Sequence, residues 1–312
     1  MSMAFIFPGQ GSQSVGMGQE IFEAFPAARA VFEEVDDALG QKLSAIMFNG
    51  PLDDLTLTAN AQPALMASSM AVMRVLESDF HIPVTAASHV AGHSLGEYSA
   101  LCAAGSLGLA DTAKLLKLRG EAMQQAVPVG EGTMAALLGA SIEDAQGLCD
   151  AVDGLAEIAN DNAIGQVVIS GEVAAIEQAV AKASDRGIKK AMILPVSAPF
   201  HCAMMQPAAD AMKDALVDVA FSKPKVPVVN NVTAQAVTDP AQLKADLVAQ
   251  VTGRVRWRES VLWMAANGVT AMAEPGTGKV LSTMLRRIDK SVAGAALSSP
   301  ADLEAFAAQL KG

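Results

Sequence analysis

Residues 90–105 read VAGHSLGEYSALCAAG, and within them one serine, Ser94, lies between Gly92 and Gly96. A Gly-x-Ser-x-Gly turn between a short apolar run and a stretch of helix formers is the context of a serine nucleophile. Flanking glycines let the backbone bend sharply and keep side chains away from an incoming acyl group. The helix behind the turn offers free N–H groups where an oxyanion would form. A serine capping an ordinary turn would carry the same pentapeptide. The strand and helix on either side favour the nucleophile.

A serine hydroxyl needs a base, and the chain has four histidines. His93 adjoins the serine, and neighbours at a sharp turn point apart. His81 and His89 sit in the segment leading into the strand. His201 remains, in VSAPFHCAMM, 107 residues beyond Ser94 in a Pro-kinked loop that enters a helix. A loop histidine near a helix start is the plainer alternative.

Arg119 supplies a third group. On a helical wheel of about 100° per residue, Lys114, Lys117, Glu121, Gln124 and Gln125 cluster on one side. Leu115, Leu116, Leu118, Ala122, Met123 and Ala126 form the other, and Arg119 falls near the middle of that apolar arc. A buried guanidinium without a partner costs several kcal/mol, so it must meet an anion. The anion is either an internal Asp or Glu or a substrate carboxylate, which the planar fork grips through two hydrogen bonds.

Gln10 follows the first apolar run, at the mouth of a sheet where sites form, and its N–H is placed to be a second oxyanion donor. Two glycine-rich stretches do not match their motifs. GQGSQSVG has Ser14 where a dinucleotide fingerprint needs its third glycine, and EPGTGKVLS lacks the leading glycine of a P-loop.

The elements that must position these groups follow from patterning. The 312 residues are 51% hydrophobic and 18% charged, enough for a sizeable core. Strands are expected at Ala4–Phe7 and Ser88–Gly92, with helices over Gln19–Leu39, Pro63–Leu76, Leu95–Ala104 and Leu109–Ala126. Alternating strands and helices indicate an α/β domain with a largely parallel sheet, of the α/β-hydrolase-like kind once the serine turn is included. After Pro128 the order becomes β-α-β-β-α-β, the ferredoxin-like unit, over roughly 130–196. The expected division is a large catalytic domain from 1–128 and 197–312 and a small insert at 129–196. In the returning part a helix is expected at Ala203–Val217 and a strand at Val226–Val232. Helices follow near 240–250 and 257–267, and VTAMAEPG forms the last sheet strand.

Three well-separated cysteines form neither a metal motif nor a disulfide framework, and no apolar run is long enough to cross a bilayer. Met3–Phe7 is too short and uncharged for a signal peptide, so the cytoplasm is the expected address. A net charge of −11 argues against nucleic-acid binding. Between Arg254 and Lys290, however, seven basic residues face three acidic ones. That segment is either a solvated face or a docking patch for an anionic cofactor or protein, with Lys279, Arg286 and Arg287 as candidate contacts.

Taken together, the chain resembles the malonyl-CoA:acyl carrier protein transacylase family of bacterial fatty acid synthesis. The resemblance runs nearly end to end, through FIFPGQGSQ, QPAL at 62–65, AGHSLGEYSAL at 91–101, LRGEAMQ at 118–124 and GQVVISG at 165–171. It continues through HCAMMQPAAD at 201–210, PVVNNV at 227–232 and GTGKVL at 276–281. It implies Ser94 as nucleophile, His201 as base, the N–H groups of Gln10 and Leu95 as oxyanion hole, and Arg119 as clamp on malonate's free carboxylate. It also implies a main-chain carbonyl, matching Gln250, at the histidine's other nitrogen, and places Asn160 and Asn162 near the cleft. Phe200 departs from stand-alone members, which often carry serine there. It is similar instead to malonyl-selective acyltransferase modules of multidomain synthases.

Malonyl-CoA as substrate and acyl carrier protein as partner follow from the resemblance. No permanent cofactor, metal, nucleic acid or membrane partner is expected, and the chain is expected to be a monomer. A serine thioesterase or lipase-like hydrolase is the rival reading, and it predicts an Asp or Glu orienting His201. A silent carrier-binding scaffold is a second rival, which would need the basic patch but not the serine.

Overall fold

The segment MAFIF is buried along all five residues, as a strand covered on both faces requires. It is β1 (Met3–Phe7) in a computed structural model that describes residues 2–196 and 198–311. The remaining strands are β2 (His89–Gly92), β3 (Gly132–Leu138), β4 (Ala156–Ala163), β5 (Gln166–Glu172) and β6 (Lys190–Ile193), then β7 (Val228–Val229), β8 (Ala236–Val237), β9 (Ala271–Pro275) and β10 (Ala293–Leu297).

They form two sheets. The first has order β10-β9-β1-β2-β7-β8 and is parallel except for the β7–β8 pair. Its strands alternate between two cores. Phe5 and Phe7 join the helices Thr58–Ser78 and Leu109–Gln125, while Ala4 and Ile6 join Trp257, Val261, Leu281 and Leu285. That period of two sandwiches the sheet between helical layers. Phe7 pairs with Gly92, which brings the carboxyl ends of β1 and β2 level.

The second sheet is antiparallel, in the order β4-β5-β3-β6. One face, with Ala135, Leu137 and Ile169, packs under the helices Ile142–Cys149 and Val173–Lys182. Met134 and Val168, on the other face, join the large core. Mixed α/β architecture with a parallel-rich sheet is thus observed. The expected boundary at 197 falls on a residue outside the described set.

Several boundaries differ from the sequence expectation. The helical run at Gln19–Leu39 breaks at Phe25, which is extended because Pro26 follows it. The expected strand at Val226–Val232 shrinks to two residues, because Asn230 turns the chain by accepting from the N–H and hydroxyl of Thr233. The chain then doubles back as β8. β9 is not the last strand: AGAAL forms β10 on its outer edge, where small residues gave no β-branched signal. Among the described residues no helix is long and apolar enough to cross a membrane.

Candidate active site

Three neighbouring parallel strands deliver functional groups at their carboxyl ends: Gln10 after β1, Ser94 after β2 and Asn231 after β7. The turn after β2 is too tight for any side chain at its glycines. A Cβ at Gly92 would lie 1.9 Å from the Gly96 carbonyl, and one at Gly96 would lie 2.3 Å from the Phe7 carbonyl oxygen. Ser94 itself has φ 53°, a left-handed conformation that a serine adopts only where its surroundings enforce it. Asn231 does so. Its side chain accepts from the Ser94 N–H at 2.7 Å and donates to the Gly92 carbonyl at 2.7 Å.

With its own N–H occupied, Ser94 leaves the next one, on Leu95, ahead of the helix Gly96–Ala103. Neither that N–H nor the N–H of Gln10 donates to a protein group among the described residues. Both residues border the same cavity as Ser94.

The Ser94 hydroxyl lies 2.8 Å from His201 Nε2, and His201 Nδ1 lies 2.9 Å from the main-chain carbonyl of Gln250. A carbonyl can only accept, so Nδ1 carries the proton and Nε2 is free to take one from the serine. His201 has φ 59° and is buried. Burial, then the charge of Arg119, pushes its pKa down to about 3. The imidazole is therefore neutral and ready to accept a proton. Among the described residues no carboxylate bonds to it, the feature a hydrolase triad would have required.

Arg119 is 1% exposed, as its place on the apolar arc predicts. It donates to the side-chain oxygen of Gln62 at 2.8 Å and to that of Gln250 at 2.9 Å, and reaches the Ser94 hydroxyl at 3.2 Å. Its guanidinium lies over the Tyr98 ring, 5.6 Å from the centroid. Among the described residues it has no ion pair, and its Nε has no partner. A buried cation answered only by amides, a hydroxyl and an aromatic face retains capacity for an anion from outside.

The cavity beside these groups holds about 460 Å³. Of the sequence-predicted cleft residues, only Gln250 is held back from its wall. Phe200 closes one side, while Met134 and Val168 bring in the antiparallel sheet. Asn160 and Asn162 come from β4, and Asn162 Oδ1 lies 2.8 Å from His93 Nε2. His93 is thereby a strut between the two sheets.

Lys279, Arg286 and Arg287 lie outside the cavity, exposed at the two ends of the helix Val280–Ile288. Gly278, next to Lys279, sits against Ser12 in the loop that carries Gln10, so this end is close to the cavity mouth. Elsewhere in the basic segment, Arg254 and Arg256 pair with Glu259, and Arg258 pairs with Asp161.

Sequence reasoning missed Gln62, Asn231 and Glu97. Glu97 is fully buried, and desolvation raises its pKa to about 7. Asn231 had one usable signal: it follows an apolar run as Gln10 and Ser94 do.

Comparison with known proteins gives a consistent result. The model of the acyl transferase domain matches residues 4–296. The malonyl CoA-acyl carrier protein transacylase of Bacillus subtilis (strain 168) is 43% identical over 312 residues, covering 99% of this chain and 97% of its own. That of Escherichia coli (strain K12) is 42% identical over 304 residues, covering 97% of each. Among solved structures, an acyl-carrier-protein-S-malonyltransferase from Bartonella henselae is 56% identical, covers both chains completely and has a TM-score of 0.98. A type II PKS acyl-carrier protein in complex with its malonyl-transacylase gives 39% identity and a TM-score of 0.95, covering 99% of this chain and 100% of the other.

Proposed function

The chain belongs to the acyl transferase family, and from that premise we propose how its residues move a malonyl group from CoA to acyl carrier protein. The transfer itself is the activity named for the relatives, at about two-fifths identity across the whole chain. One observation carries the residue assignment: a buried arginine with no ion pair among the described residues reaches the same hydroxyl as a neutral histidine.

Malonyl-CoA enters with its free carboxylate on Arg119. His201 Nε2 takes the Ser94 proton as Oγ forms a bond to the thioester carbon. The carbonyl oxygen becomes an oxyanion held by the Gln10 and Leu95 N–H groups, each contributing about 3 kcal/mol to the transition state. Collapse breaks the C–S bond. The leaving CoA thiolate takes the proton from His201, and a malonyl-serine ester remains. The carrier's phosphopantetheine thiol then gives its proton to His201 and attacks the ester, and the proton returns to Ser94. Two half-reactions in one cleft make the kinetics ping-pong.

Arg119 also acts on the base. Its charge depresses the histidine in the empty site, and a malonyl carboxylate offsets that charge. Binding the correct donor therefore makes His201 a stronger base. We read the unit at 129–196 as a ferredoxin-like insert in a large domain made of 1–128 and 197–312. The order β4-β5-β3-β6 with two helices on one face supports that reading. Lys279, Arg286 and Arg287 are the proposed contacts for CoA phosphates and the acidic carrier.

Mass spectrometry after brief exposure to malonyl-CoA or acetyl-CoA tests the assignment. The expected result is a malonyl adduct on Ser94 that persists in water, awaits a thiol and is lost with Arg119→Ala. Rapid release of free malonate would favour the hydrolase instead.

A further inference from the structure

Glu97 lies in the first turn of the helix behind the nucleophile, yet it neither borders the cavity nor touches the Ser94 hydroxyl. We propose that it is a positioning residue for malonyl selectivity, fixing the side-chain amide of Gln250 so that the amide oxygen faces Arg119. The inference rests on the transacylase reading above.

The geometry leaves that amide one orientation. Gln250 Nε2 donates to Glu97 Oε2 at 2.9 Å and to the Ser94 main-chain carbonyl at 3.0 Å, with Asn231 Oδ1 at 3.2 Å. With its nitrogen committed to acceptors, Gln250 turns its oxygen the other way, 2.9 Å from Arg119 Nη2. A flipped amide would set NH₂ against the guanidinium and its oxygen against the carboxyl of Glu97, two repulsive contacts in a buried site. Glu97 Oε2 also accepts from the Asn231 N–H at 2.9 Å. The same carboxyl therefore anchors the residue that clasps the turn at Ser94. An acid placed directly on Arg119 would compete with the substrate's carboxylate. Acting through an amide, Glu97 aims the guanidinium and leaves it open.

The test compares initial rates of malonyl and acetyl loading on Ser94 for wild type, Glu97→Gln, Glu97→Met and Glu97→Asp, with thermal melts to verify folding. Glu97→Gln keeps an oxygen that accepts from Gln250, and its malonyl preference should stay within about twofold of wild type. Glu97→Met removes the acceptor at similar volume. Its malonyl preference should fall at least about tenfold, through the KM for malonyl-CoA, while acetyl loading falls less, by the share that the lost Asn231 anchor costs both donors. Should Glu97→Met not fold, Glu97→Asp carries the test, since its carboxyl is one methylene short of the amide and the preference should again fall. The proposal is overturned if the folded variant keeps the wild-type preference, with malonyl and acetyl loading dropping by the same factor or not at all, or if Glu97→Gln loses as much as Glu97→Met. A wild type that shows no malonyl preference would instead overturn the transacylase reading.

Discussion

Two arginines show how differently this chain treats a guanidinium. Arg258 meets Asp161 through two nitrogens, at 2.8 and 2.9 Å, and the carboxylate is 1% exposed. That pair fastens the helix Trp257–Ala266 to β4, and the guanidinium's charge is already answered by an internal carboxylate. Arg119 is more deeply buried, yet it faces two glutamine oxygens, a hydroxyl and a tyrosine ring. Burial alone does not separate structural from functional charge; the partner does. A guanidinium answered by an internal carboxylate is part of the framework. One answered by neutral dipoles still has most of its charge to offer a ligand.

The sharpest way to break this contrast is at Arg119. Arg119→Ala should cut malonyl loading by about 10²–10³-fold, the usual loss when one partner of a buried charge pair is truncated, and acetyl loading far less. The same change removes the positive charge that depresses His201. The acid limb of acetyl loading should then lie at higher pH than in wild type. A limb that stays put or moves down contradicts the assignment of the base.

Asp161→Asn probes the other arginine. It should cost about 1–3 kcal/mol in urea unfolding, a range that allows for the partial exposure of Arg258, and leave malonyl preference untouched. A loss of selectivity there would erase the distinction drawn above.

A smaller effect belongs to Glu97. Burial, with a lesser push from Asp246, lifts its pKa from 4.5 to about 7; bonds from Asn231 and Gln250 and the charge of Arg119 only partly offset this. The folded state thus holds a proton that the unfolded chain has already released. Stability from this group falls as pH rises from 4.5 to about 7. Glu97→Gln removes that dependence, so its gain in Tm over wild type should be larger at about pH 8 than at about pH 5.

The smallest effect is on the surface. Arg286→Glu with Arg287→Glu should slow transfer to the carrier by several-fold, in a salt-sensitive way, and leave acylation by malonyl-CoA nearly unchanged. Equal effects on both steps would remove these residues from the carrier contact.

The parts of the site legible in the sequence were those with a local signature. Ser94 stood out because Gly92 and Gly96 bracket it between a strand-like run and a stretch of helix formers, and Arg119 because an arginine is out of place on an apolar helical arc. His201 was found by excluding the other three histidines. Asn231 and Glu97 had no comparable mark. An asparagine after a short apolar run reads as a turn, and a glutamate in the first turn of a helix reads as a solvated partner of the dipole. The strands β8 and β10 escaped notice because two residues, or five small ones, carry too little pattern.

The amino-acid order by itself determined the glycine-flanked turn at Ser94, the apolar helix that buries Arg119 and the alternation of strands and helices, because each depends on neighbours within a few residues. Only the tertiary structure decided that Arg119 meets amides rather than an acid, that a main-chain carbonyl orients His201, and that Glu97 stands behind Gln250. Those contacts join residues 49 to 153 positions apart. No local pattern specifies them; they form when strands β1, β2 and β7 end side by side and the helix Pro240–Thr252 packs behind them.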